Sequence, residues 1–214
     1  AVAVAILCLV SAAIAIRYQP AWSRGRIPAG TDIERAAARM LTKASAIRAG
    51  VARPGDWGEA ISEAEVNAWL AHDLPRVAPG ALPTWAGSPS VRFLPRRVAV
   101  SSDLGAGLLA ARAWAVFTVV LRRDNELVVG VDSAGLGFLP IPPGTVLGVL
   151  EARALRAGLP AERDVLEGRP ALVVRLPGRL DTARAGSPEY HLQGVRVDDG
   201  EVVLAGSTRP AAGP

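Results

Sequence analysis

Four features of this 214-residue chain have the residue types for chemistry: a glycine pair in a turn, two histidines, a short acidic cluster and an asparagine beside an apolar stripe. The glycine pair lies in GLGFLPIPPG, residues 135–144, between a strand-like and a helix-like pattern. That is the setting of a dinucleotide-binding turn, which needs G-x-G-x-x-G and free backbone N–H groups to meet a pyrophosphate. Here Gly135 and Gly137 are followed by Pro140, Pro142 and Pro143, which remove those donors, and no Gly-Lys-Ser/Thr follows. The stretch reads instead as strand, apolar turn and helix, with Pro142 or Pro143 in the first helical turn. Phe138, Leu139 and Ile141 then either plug the end of the core or stand out as an apolar lip.

His72 and His191 are the two histidines, one near a helix end beside Asp73 and one in a strand beside Tyr190. Neither accompanies a Gly-x-Ser-x-Gly elbow or a partner set for nucleophilic catalysis. Glu63, Glu65 and Asp73 could suggest carboxylate chemistry. Glu65, however, is the third residue after Ser62 in a capping box, and Glu63 is a favourable first-turn charge. Asn67 lies beside the stripe of Val66, Trp69, Leu70 and Leu74. It either bonds a nearby backbone group and fixes its helix against a sheet, or makes a polar contact to a ligand. The lone Cys8 excludes an intramolecular disulfide and a thiolate zinc site, and no loop has EF-hand spacing. The expectation is no catalytic residue, no metal and no cofactor.

Half of the residues are hydrophobic and 21% are charged, and Lys43 is the one lysine among 24 basic residues. The arginines are scattered, without the basic stripe of a nucleic-acid binder, so no nucleic-acid partner is expected.

The elements that must position these residues follow from periodicity. Thr31-Asp32-Ile33-Glu34 reads as a capping box, and Ile33, Ala36, Ala37, Met40, Leu41, Ala44 and Ile47 make one helical face ending at Gly50. A second helix starts at Ser62 and stops at Pro75. SVRFL, RRVAVSS, LLAARAWAVFTVVLRR and ELVVGVDS are strand-like, with Asp124-Asn125 as a hairpin turn between the two longest. In AWAVFTVVL, Trp114, Val116 and Val120 share one face with Thr118, while Ala115, Phe117, Val119 and Leu121 share the other. A strand apolar on both faces needs cover on both: helices, a second sheet or an apolar ligand. GTVLGVLEARALRAG reads as a helix with Val146, Leu147, Leu150, Ala154 and Leu155 inward. PALVVRLP and EYHLQGVRVDDGEVVLAGST return to strands, with Asp199-Gly200 as a turn. The expected fold is α+β: helices on a curved, mainly antiparallel sheet with a long central hairpin, as one domain over residues 31–209 and a loose tail at 210–214.

Residues 1–16, AVAVAILCLVSAAIAI, are uninterrupted apolar or small residues. A membrane span needs about 20, and the first residue is not methionine, so the run is expected to extend upstream as an anchor. Tyr18 and Trp22 suit a membrane–water boundary, and residues 17–30 make a linker. The alternative is a signal peptide cleaved near Ala15, after Ala13-Ile14-Ala15, leaving a secreted or periplasmic protein. Arg17, Arg24 and Arg26 taken alone would hold the body in the cytoplasm.

ISEAEVNAWLAHDLP resembles a helix of YpmS-like bacterial proteins, which are single-pass anchored envelope proteins. VDSAGLGFLPIPPGTV resembles that family's strand, glycine-rich turn and return helix, so the resemblance covers roughly residues 60–155. More distantly, the order of anchor, curved sheet and helix is similar to the tubular lipid-binding superfamily, whose members hold acyl chains in an elongated apolar groove. The resemblance implies an anchored, non-enzymatic domain on the extracytoplasmic side, with lipid as ligand, and it carries over no catalytic residue. Trp114, Phe117, Val129, Phe138, Leu139 and Ile141 are the groove candidates, with Asn67 as the polar contact. A module docking on an envelope protein partner through the same apolar residues is the alternative, and an enzyme is the second alternative.

Overall fold

The computed structural model describes residues 30–78, 86–105, 111–179 and 187–210. The expected anchor at 1–16, nearly all of the linker at 17–30 and the end of the tail lie outside them. Among the described residues no helix is long and apolar enough to cross a membrane.

The fold is α+β, and its paired strands run antiparallel. Helix α1 (Thr31–Val51) leads to strand β1 (Gly55–Ser62), helix α2 (Glu63–His72) and the short α3 (Leu74–Val77). Four strands follow: β2 (Ala86–Leu94), β3 (Arg97–Leu104), β4 (Ala111–Arg123) and β5 (Glu126–Leu136). The two-residue β6 (Leu139–Pro140) precedes helix α4 (Pro143–Arg156), then β7 (Ala161–Leu166), β8 (Arg169–Arg175), β9 (Glu189–Asp198) and β10 (Glu201–Arg209). The larger sheet has the order β2-β3-β4-β5-β8-β7, with β6 folded back on β5. The smaller has the order β1-β10-β9.

The long central hairpin is β4–β5, turning at Asp124 and Asn125 as the sequence indicates. Where one curved sheet was expected, the chain builds two, because β1 pairs along its whole length with β10 rather than joining its neighbours in sequence. Two hairpin tips hold the sheets together. Arg96 and Asn125 both take positive φ, 61° and 60°, which turns their amides outward. Arg96 N–H donates to the Val197 carbonyl and Asn125 N–H to the Leu192 carbonyl, both on β9. The Asn125 side chain adds two more bonds, donating to the Tyr190 carbonyl at 2.8 Å and accepting from Leu192 N–H at 2.7 Å.

The helices enter by different devices. The Thr31 capping box does not form: Gly30 is the N-cap, so Thr31 is already helical and Asp32 pairs with Arg35 instead. The Ser62 box forms in full, with Ser62 Oγ accepting from Glu65 N–H and Glu65 accepting from Ser62 N–H. Ala36, Ala37 and Ala68 are fully buried where α1 crosses α2, so small side chains let the two helices approach closely.

Glu65 also takes Lys43 Nζ at 2.8 Å and Arg39 Nε at 3.3 Å from α1. Burial pushes its carboxyl up, but the Lys43 ammonium and the Ser62 amide and hydroxyl outweigh that and hold it below its ordinary value. A carboxylate with a lowered folded-state pKa stabilises fully above the unfolded value and loses that contribution as pH falls through the folded one. Glu65→Gln keeps the capping geometry but loses the charge. Urea unfolding at neutral pH is expected to show a loss of about 1.5 kcal/mol, shrinking below about pH 4. A deficit unchanged across that range would contradict the ion-pair account.

Candidate functional site

An apolar groove of about 440 Å3 lies beside α4, which packs over β5, β7 and β8, and is floored by the neighbouring face of β3–β5. Its existence traces to residue size. Ala113 and Ala115 on β4 and Ala134 on β5 occupy the sheet wall beside Val100 and Phe117. The register places Ala115 opposite both Val100 and Ala134, so two alanines and a valine sit side by side where leucines would fill the space. The helix wall is Thr145, Val146, Val149 and Leu150. The helix is kept on the sheet at its other edge, where Leu147 is buried against Val131 and Leu172. Val146, Leu150 and Phe117 pack on that cluster as well, while Thr145 and Val149 on the groove side stay exposed.

The lining hydroxyls are largely committed. Ser101 Oγ lies 2.8 Å from Ser90 Oγ, and the Arg112 guanidinium donates to it at 3.2 Å. Ser102 Oγ donates to the Gly87 carbonyl. The groove thus offers carbon rather than polar atoms to an occupant.

Of the six groove candidates from the sequence, Trp114, Phe117 and Ile141 line it. Phe138 and Leu139 stand beside it, 55% and 49% exposed, as a lip rather than a plug. Val129 is not part of the lining: it sits farther along β5, opposite Val119 and Leu172. Val100, the three alanines and Val149 were not candidates. Ala113 and Ala115 are legible in hindsight as alternate small positions in AARAWA, but only the register shows that Ala115 meets Ala134 of the next strand. Leu155, expected inward, is 57% exposed on the last turn of α4.

The glycines of the turn have structural tasks. Gly137 takes φ 58° and its carbonyl accepts from the Trp114 indole at 2.8 Å. Gly135 lies flat on the Trp114 ring, where an added Cβ would come within 2.7 Å of it. Neither faces a phosphate-sized polar cradle.

Asn67 is fully buried, and both ends of its amide are used: Nδ2 donates to the Val91 carbonyl at 2.8 Å and Oδ1 accepts from Val91 N–H at 2.7 Å. It fixes helix to sheet and contributes nothing to the groove. Glu63, one helical turn earlier, accepts from Phe93 N–H at 3.1 Å, and Gly200 N–H donates to the Phe93 carbonyl. Four residues of helix advance about 6 Å and two of strand about 6.6 Å, so this helix face matches the open edge of β2 bond for bond.

The remaining titratable groups are structural in their surroundings. His72 is flanked by Asp73 at 2.8 Å and Arg76 at 3.0 Å, and His191 lies 3.6 Å from Asp124; neither lines the groove. Glu126 is buried, and Arg123 beside it holds its carboxyl below the ordinary value, outweighing burial, with Arg175 adding to the effect. Among the described residues no three His, Cys, Asp or Glu side chains gather as a metal ion would require. Comparison with family models, with curated proteins and with solved structures finds no match to this chain.

Proposed function

We propose that this domain binds an apolar ligand, a lipid acyl chain, in the groove between α4 and the β3–β5 face, and that residues 1–16 hold it at a membrane. The observation that carries the reading is the groove itself: its volume of about 440 Å3 falls in the range of about 300–1,000 Å3 typical of ligand pockets. The groove is walled by α4 and floored by the sheet, and it opens broadly to solvent between them, which gives an acyl chain access from outside. The apolar lining supplies affinity through area removed from water, about 25 cal/mol per Å2, and selects for hydrocarbon by offering few free polar partners.

The test uses a chain beginning after residue 22, purified without added lipid or detergent and extracted into organic solvent for mass spectrometry. Stoichiometric lipid is expected. Ala115→Trp, which grows from β4 into the groove, is expected to lower the lipid yield at least about tenfold while the circular dichroism spectrum holds. Lipid-free protein, or equal yield from the filled variant, sinks the reading.

A further inference from the structure

The second inference rests on the groove reading and names the surface onto which that groove opens. Phe138 and Leu139 are 55% and 49% exposed, and Val149, on the groove-lining face of α4, is 59% exposed. Leaving a large apolar side chain in water forgoes the free energy that burying it would release. These side chains are held out by their frame. Gly137 turns the chain at positive φ, the Trp114 indole clamps the Gly137 carbonyl, and β6 pairs back on β5 at Leu136 and Leu139. Pro140, Pro142 and Pro143 stiffen the return.

The lip's own segment is uncharged, and Arg112, whose carbonyl takes the Gly137 amide, is paired with Asp103 at 3.1 Å. Between Asp132 and Glu151 no residue is charged. Glu151 is taken by Arg163 at 2.8 Å, and the exposed arginines that follow on the same helix are Arg153 and Arg156. An apolar tip with basic residues behind it matches a bilayer that is hydrocarbon within and anionic at its surface. The chain preceding α1 supports the same partner. Residues 1–16 read as a membrane anchor, and the fourteen residues 17–30 span at most about 50 Å when fully extended, which keeps the domain beside the bilayer.

We infer that Phe138, Leu139 and the first half of α4 dock on an anionic lipid bilayer, with Arg153 and Arg156 at the headgroups and the groove opening toward the lipid. The full chain, with Cys8→Ser and a single Leu139→Cys, is reconstituted into phosphatidylcholine–phosphatidylglycerol vesicles carrying acyl-chain nitroxides and labelled with an environment-sensitive fluorophore. A parallel chain carries the label at Val165→Cys, 61% exposed on β7. The label at 139 is expected to shift to the blue and be quenched at least about threefold more than the label at 165. Replacing phosphatidylglycerol by phosphatidylcholine, or Arg153→Glu with Arg156→Glu, is expected to weaken the quenching.

Equal, water-like signals at both positions overturn the docking surface. So does a label at 139 that is shielded in detergent as fully as in vesicles, because protein would then be covering it. Lipid extraction from the chain beginning after residue 22 is scored separately. Quenching at 139 without extractable lipid upholds the docking surface and removes the groove ligand. Extractable lipid without quenching does the reverse.

Discussion

Asn67→Leu is expected to cost about 4 kcal/mol of unfolding free energy, measured as a shift of the urea midpoint at unchanged slope. Leucine has nearly the shape of asparagine, so the core loses no volume. What it loses is the pair of bonds to Val91, at 2.7 and 2.8 Å, leaving a backbone N–H and a carbonyl unpaired against an apolar helix. Each orphaned group costs about 1–3 kcal/mol, and here there are two. Asn67→Asp separates this account from simple loss of packing. An ionised carboxylate still accepts from Val91 N–H but faces the Val91 carbonyl with like polarity, whereas the protonated acid donates to it. The Asp variant is therefore expected to recover part of its stability as the pH is lowered, a trend the Leu variant cannot share. Equal deficits in both variants at every pH would remove the edge-pairing role.

Gly206→Ala is expected to lower stability by about 3 kcal/mol, or Tm by about 10 °C in a domain of this size. Gly206 sits where the β10–β9 register shifts, and an added Cβ would meet the His191 carbonyl and the Trp57 ring at once. Neither can yield cheaply. The carbonyl belongs to the paired strand, and the Trp57 indole is bonded to Thr208 Oγ1, which in turn donates to the Gly50 carbonyl. Gly144→Ala is the matched control: it meets nothing within 4 Å on α4 and is expected to leave stability unchanged or raise it by up to about 1 kcal/mol. Similar Tm values for the two variants would show that the close approach at Gly206 is soft.

What could be read in advance was local. The Ser62 box, the turn at Asp124-Asn125 and Pro143 at the start of α4 each depend on neighbours within a few residues, and each formed. The same local logic failed at Thr31, where the preceding Gly30 took the cap. Strands β1 and β7 were invisible because GDWGEAIS and AERDVL each hold a single β-branched residue, Ile61 and Val165, without apolar alternation, and they are strands because of what lies beside them. The groove was half legible. Its aromatic residues announce themselves, whereas its emptiness comes from alanines meeting across strands, a property of register. SEAEVN carries the sharpest lesson. Its two glutamates and asparagine look like chemistry and are joinery, one holding the helix start and α1 while the other two finish the edge of β2.

The pairing of β1 with β10 governs how the domain can be made. Trp57 and Thr208, bonded across that pair, are 151 residues apart in the chain. On a ribosome, β1 is among the first strands to emerge and waits for nearly the last, while the hairpins β2–β3, β4–β5 and β7–β8 close at once. Closing so large a loop late is slow and leaves the waiting strand's edge open to other chains. A chain ended anywhere before β10 therefore leaves α1 resting on a strand with no neighbour, while α2 keeps its seat on the edge of β2.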